Sequence, residues 1–587
     1  MVSGMTAPSD HLALAAEFPR VTRADWRAQV ATVLARSGLV GDPEDQLSHV
    51  TYDGVTVRPL YTAADAPFAG DASDEVRGLG DPGAGWDVRA RHDDDDLVRS
   101  NTAILDDLEH GVTSLWVVAR NAALDLGRVL DGVYLDLAPI VLDAGAFSVP
   151  IAQNLLALAQ ARGVTELTGS LGADPLGWAA RTGAAPDLSQ VGALAALTRA
   201  RPGLGALTVD GTIYHDAGGS GADEVAVVTA VGLQYVRTLS DLGHSVDEAF
   251  AEVEFRLAVT DDQFGSIAKL RAARRVWARV AQLCGASWVR QRQHAVTSRA
   301  MMTQRDAWVN MLRTTIACFA AATGGAHAIT VAPFDSAIGR SNDFARRIAR
   351  NTQTVLHDES SLGRVHDPAG GSWYVESLTE QLAQQAWTRF TALQAHGGAA
   401  NLAAIRRLLK TTSSVRDEDI AHRRFPITGV SEFPNVAEQP VERDPWPDRP
   451  TGGLNVHRYA GSFEVLRDRS DAAPTRPKVF LAALGPVAAH SARVGFASNL
   501  FQAGGFEVIT TGDFATSGAF VACICSSDSI YAGAATTEVV QALRVAGAPL
   551  IWLAGTSSLR IDGVDGYVHA GVDAIDVLTR SLEAAGA

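Results

Sequence analysis

The sequence predicts two α/β units in series: a TIM-type (β/α)8 barrel, then a smaller flavodoxin-like, doubly wound domain. Three observations carry this reading. Between residues 46 and 410, short β-like runs alternate with helical stretches, the pattern of a parallel barrel with helices outside. Residues 411–477 break the alternation with a segment rich in Pro, Gly and charge. Residues 478–587 resume it, with five strand-like runs and intervening helices.

In chain order, residues 1–45 form a polar arm with a helix expected near 23–37, stopped by Gly38. Such an arm buries little by itself and must pack on the body or on another chain. In the barrel the expected strands are "TSLWVVA" (113–119), "GVYLDL" (132–137), "ELTGSL" (166–171), "ALTVDG" (206–211) and "AHAITVAP" (326–333). A helix over 264–283 sets Ile267, Leu270, Ala273, Trp277 and Val280 on one face; its basic residues fall mostly off that face and read as a solvated side. The stretch 411–477 reads as an extended connection, long enough to wrap a surface. In the last unit, strands are expected at "KVFLAAL", "FEVITTG", "AFVACICSS", "APLIWLAG" and "YVHAG", with helices over 489–503, 533–545 and 573–585. Ligands of such sheets sit at the C-terminal strand ends. The loop after the first strand, with its lone His490, would lie at that edge.

Composition sets bounds on function. The chain has 587 residues, 47% hydrophobic and 20% charged, an ordinary globular balance that suggests several domains. A net charge of −16 argues against broad nucleic-acid binding while leaving room for a local basic pocket. The N-terminus lacks a basic start and an apolar core, and no uncharged apolar run approaches the ~20 residues that span a membrane, so a cytoplasmic protein is expected. Four cysteines are too few for a disulfide scaffold; Cys523 and Cys525 would share one strand face and read as core. No G-x-G-x-x-G follows a strand with an acidic partner, and the 15 histidines show no zinc or Ser-His-Asp spacing.

Several long segments then give a specific resemblance. "YDGVTVRPLYTAAD" (52–65), "KLRAARRVWA" (269–278), "DFARRIARNTQTVLHDES" (343–360), "RVHDPAGGSWYVESLT" (364–379) and "PITGVSEFPN" (426–435) resemble adenosylcobalamin-dependent methylmalonyl-CoA mutases, in order and over nearly the whole chain. The resemblance implies a barrel followed by a cobalamin-binding-like flavodoxin domain, and a radical rearrangement of methylmalonyl-CoA to succinyl-CoA. It also implies a D-x-H-x-x-G loop after the first strand of the C-terminal domain. There the His ligates cobalt, the Asp orients it through its second nitrogen, and the Gly leaves room for the cofactor tail.

The sequence departs from the family where the chemistry should be. "AAHSAR" (488–493) stands in the loop's place: His490 matches the ligand, Ala488 replaces the Asp and Arg493 replaces the Gly. In the barrel, Arg91 falls at the position of a tyrosine beside corrin and substrate, and four aspartates, 93–96, follow it as a solvated run. Gly172 falls at a substrate-contacting glutamine. Arg181 lies within one residue of the carboxylate-binding arginine, with Thr182 as the slipped alternative. Ile213 stands where the family has its carbonyl-donating histidine; His215 is two residues on, ~6.6 Å along an extended strand end. The family's Q-T-S-G-W is reduced to "VTSRA" (296–300).

A kept scaffold with altered ligand positions implies the non-catalytic small (beta) subunit of a heterodimeric mutase. The catalytic large (alpha) subunit would carry adenosylcobalamin and substrate; no catalytic, cofactor or metal residue is expected on this chain. Two alternatives are an active cobalamin-dependent acyl-CoA mutase of altered specificity, and a CoA-binding regulatory subunit.

Overall fold

A computed structural model of the chain describes residues 17–19, 21–65, 85–287, 289–365, 367–447 and 452–587. The arm carries α1 (Arg23–Arg36), which opens on a capping box between Thr22 and Asp25. No residue of α1 is buried. Its Arg23 and Arg27 reach Glu44, and Arg27 also pairs with Asp42.

The barrel follows. Its elements are β1 (Asp87–His92), α2 (Leu97–Glu109), β2 (Ser114–Val118), β3 (Ile140–Asp143), α3 (Ser148–Ala161), β4 (Gly169–Ala173), α4 (Pro175–Thr182) and α5 (Ser189–Thr198). Then come β5 (Leu204–Asp210), α6 (Gly221–Asp241), β6 (Val253–Val259), α7 (Gln263–Cys284), β7 (Arg292–Thr297), α8 (Asn310–Thr323), β8 (Ala328–Thr330), α9 (Asp343–Thr354), α10 (Trp373–Ala395) and α11 (Leu402–Ala421). The eight strands close in the order β8-β1-β2-β3-β4-β5-β6-β7, each pair parallel. Helices cover the outside, so β5 and β6 are buried at every position.

Two sequence expectations change here. "GVYLDL" (132–137) is not a strand; its residues turn, and the neighbouring "IVLD" forms β3. β1, β6 and β7 are strands the hydrophobic pattern did not mark. The basic side of α7 is also not solvated. Lys269, Arg271 and Arg274 are buried because α6, α10 and the end of α8 pack against α7 and bring partners with them. Lys269 Nζ meets Glu224 Oε2 at 2.6 Å, Arg271 Nη2 meets Glu376 Oε1 at 2.6 Å, and Arg274 Nη2 donates to the Gly324 carbonyl at 2.6 Å.

The connection is less extended than its composition suggests. α11 runs through the expected boundary at 410, and α12 (Gly461–Ala472) forms before the last unit. Between them the chain is strapped across the barrel's C-terminal end. The amides of Leu454, His457 and Tyr459 donate to the carbonyls of Ala180, Asp216 and Ala300 at 2.7, 2.6 and 2.9 Å.

The C-terminal unit comprises β9 (Lys478–Ala483), α13 (Val487–Ala503), β10 (Glu507–Ile509), β11 (Val521–Cys525), α14 (Ala534–Val545), β12 (Leu550–Ala554), β13 (Gly566–Val568) and α15 (Ala574–Ala584). The sheet order β10-β9-β11-β12-β13, all parallel, is the flavodoxin-like order. Side chains alternate between two covered faces. Val479, Leu481, Cys523, Cys525 and Trp552 point to one core, Phe480, Ala522, Ile524, Ile551 and Leu553 to the other. Among the described residues no helix is long and apolar enough to cross a membrane.

Candidate functional site

The C-terminal strand ends of the barrel open on a cavity of about 720 Å3. The strap roofs part of it with Leu454, Asn455, Val456 and Arg458. The barrel interior below is polar. Arg89 Nη1 of β1 reaches Glu254 Oε1 of β6 at 2.7 Å; these strands are not neighbours, so the pair crosses the interior.

At the mouth, arginines and aspartates pair with one another. Arg91 Nη1 donates to Asp93 Oδ2 at 2.6 Å, and Arg120 Nη2 approaches the same carboxylate at 3.2 Å. Arg99 and Arg340 each reach Asp94 at 3.0 Å. The aspartate run is therefore not simply solvated: Asp93 and Asp94 are half-buried and ion-paired, because the arginines of β1, α2 and the loops after β2 and β8 converge on them. Burial pushes the Asp93 carboxyl up, but Arg91 and Arg120 more than offset it and hold it below its ordinary range. Arg181, not Thr182, lines the cavity. Its Nη2 donates to Asp210 Oδ2 at 2.8 Å, while the Thr182 hydroxyl turns back to the Trp178 carbonyl. Asp210 is shared with Arg256 Nη1 at 3.1 Å.

The other sequence candidates have physical explanations. Gly172 has φ +70°, and a Cβ there would lie 1.8 Å from the Leu142 carbonyl oxygen, so this position admits no side chain. Ile213 lines the cavity. The segment Thr212–Asp216 is a helical turn rather than an extended strand end, so strand spacing does not separate Ile213 from His215. His215 is buried, and its Nε2 lies 2.8 Å from Ser298 Oγ. Sequence spacing gave no hint of this pair. Burial first, and then the Lys269 charge, hold the His215 imidazole well below its ordinary pKa, hence neutral. Its Nδ1 has no hydrogen-bond partner: Glu224 stands 3.8 Å away and is spent on Lys269 and the Ala258 amide. The His215 imidazole thus meets Ser298 with no second group holding it from Nδ1.

At the C-terminal sheet edge, His490 lies in the first turn of α13, not in a loop; the helix starts at Val487, directly after Pro486. Its Nδ1 has no partner, and Ala488 is exposed. Arg493 reaches across the edge: Nη1 donates to the Ser526 carbonyl at 2.7 Å, Nη2 pairs with Asp528, and the guanidinium carbon sits 5.1 Å from the Tyr531 ring centre. It thus spans from α13 to the loop after β11. These residues do not fit a cobalt-ligating loop, because no carboxylate orients His490 and a side chain fills the edge. Among the described residues no cluster of three or more metal-ligating side chains occurs.

A parallel barrel with its polar groups at the mouth, followed by a 2-1-3-4-5 sheet, defines a two-domain α/β protein. The methylmalonyl-CoA mutase family model matches residues 106–460, more than half of the chain, and the chain belongs to that family. It is 51% identical to the methylmalonyl-CoA mutase small subunit of Streptomyces virginiae, across 99% of both chains. It is 38% identical to the small subunit of Propionibacterium freudenreichii subsp. shermanii, across 98% of this chain and 96% of that one. Against the methylmalonyl-CoA mutase of Rhizobium meliloti the identity is 28%, over 71% of this chain and 65% of the relative.

Proposed function

We propose that this chain is the non-catalytic small subunit of a cytoplasmic, heterodimeric methylmalonyl-CoA mutase, and that the large subunit binds adenosylcobalamin and carries out the rearrangement. The observation that carries the reading is the barrel mouth. Where the family resemblance implies groups that hold an acyl-CoA, Arg91 is paired with Asp93, Arg181 with Asp210, and Gly172 and Ile213 offer no polar group. An active mutase would need another donor for the thioester carbonyl, and His215 is turned to Ser298 instead. Two further features favour a partner chain. α1 leaves no residue buried. Trp308, Leu312 and Ile316, four residues apart along α8 and the turn before it, stand exposed beside Phe344.

Co-purification with a neighbouring mutase-like large chain, followed by cobalamin counting, tests the proposal. One cobalamin per heterodimer is expected. Two per heterodimer, or turnover by the isolated chain with adenosylcobalamin, would overturn it.

A further inference from the structure

The strap over the cavity is anchored at His457 from two sides. The His457 amide donates to the Asp216 carbonyl at 2.6 Å, and its imidazole Nε2 lies 2.7 Å from Asp417 Oδ1 on α11. Val456 and Arg458 line the cavity, so the residue that clamps the roof lies between two that form it. Asp417 is a fixed post. Its neighbour Arg416 is buried, with its guanidinium carbon 4.9 Å from the ring centres of both Tyr52 and Tyr459, and donates to the Gly218 carbonyl at 3.1 Å. The clamp itself is open to solvent, with the His457 side chain 44% and that of Asp417 48% exposed, so protons reach it freely. The hydrogen bond to Asp417 holds the imidazole above its ordinary pKa, against burial and the charge of Arg416. Arg458, the next charge along the strap, is taken by Glu464. On the cavity side, Asp216 is buried among Arg299, Arg181, Asp210 and Glu224, and burial above all raises its carboxyl to about 6. Rising pH therefore removes a cation from the outer side of the strap and creates a buried anion on its inner side. Lifting the strap would return both groups toward water and their ordinary pKa values, so bound protons favour the closed state.

We propose that the strap is a proton-operated latch on the barrel cavity: His457 as a cation clamps it to Asp417 over a protonated Asp216, and loss of the two protons loosens it. The inference does not rest on the subunit assignment.

Hydrogen exchange of the full chain, read by mass spectrometry at pH 6 and pH 8 and divided by the rates of the unstructured peptides, tests it. After this correction, peptides within 453–460 should exchange at least about threefold faster at pH 8, while β5, buried at every position, shows no such change. His457→Gln keeps a donor for Asp417, and Asp417→Asn keeps an acceptor for His457. Each removes one charge of the clamp and should lower the pH 8 to pH 6 ratio. His457→Gln combined with Asp216→Asn should bring the ratio to about one. A contact of merely structural value would change the rates equally at both pH values and leave the ratio as it was. Near-UV circular dichroism identifies which variants keep the native fold. The proposal fails if the wild-type ratio is one or less, if β5 responds in step with the strap, or if the folded variants keep the wild-type ratio.

Discussion

Asp216 shows how one buried side chain at the mouth sets a pH dependence. Burial raises its carboxyl to about 6, against the opposing charge of Arg299. The folded state therefore holds this proton more tightly than the unfolded chain. The resulting stability is present at low pH and is lost as pH rises from about 4 to about 6. Asp216→Asn removes the titration and keeps an acceptor for the Arg299 amide. Relative to wild type, the variant should gain up to about 3 kcal/mol between pH 4 and pH 7. Urea unfolding at the two pH values measures the difference; a gain of the same size at both would mean that Asp216 does not titrate in this window. The residue scale is also where the sequence was least informative. It marked Arg91, Gly172 and Ile213 as altered positions and Arg181 as lying within one residue of a carboxylate-binding arginine. That Asp210 ties Arg181, or that the Leu142 carbonyl excludes a side chain at 172, depends on neighbours distant in the chain.

At the scale of elements, charge inside the barrel explains what the pattern missed. β1, β6 and β7 carry Arg89, Glu254, Arg256 and His294, and these polar residues erase the apolar run that marks a buried strand. β5 and the C-terminal strands, built mostly from apolar residues, were legible. The same principle governs α7, whose basic side is buried against α6 and α10. Lys269→Met would strand the Glu224 carboxylate, and should cost about 3–5 kcal/mol. Adding Glu224→Gln, which keeps an acceptor for the Ala258 amide, should restore part of that loss. Chemical unfolding of the single and double variants measures this; an undiminished cost in the double would show that packing, not charge, is responsible.

For the whole molecule, the order of barrel, connection and doubly wound sheet was legible because turn-rich composition separates two stretches of strand–helix alternation. The surface toward a partner was not, since exposure depends on what remains uncovered after folding. Leu312→Asp together with Ile316→Asp should leave the chain folded, because both side chains are exposed, and should reduce its recovery with the large subunit at least about tenfold. Circular dichroism and a pull-down read the two outcomes; full recovery would place the interface elsewhere.

The strap over the barrel mouth has a mechanical consequence. Domains swing when a few residues of the linker are free to change their dihedral angles. Here the linker is riveted to the barrel at Leu454, His457 and Tyr459, and Ile427, Phe463 and Leu466 on either side of it are sunk in the sheet's core. Among the described residues of the connection, these contacts tie the C-terminal sheet to the barrel. It moves as cargo on the barrel, and deuterium should enter those three amides only as fast as the two domains part.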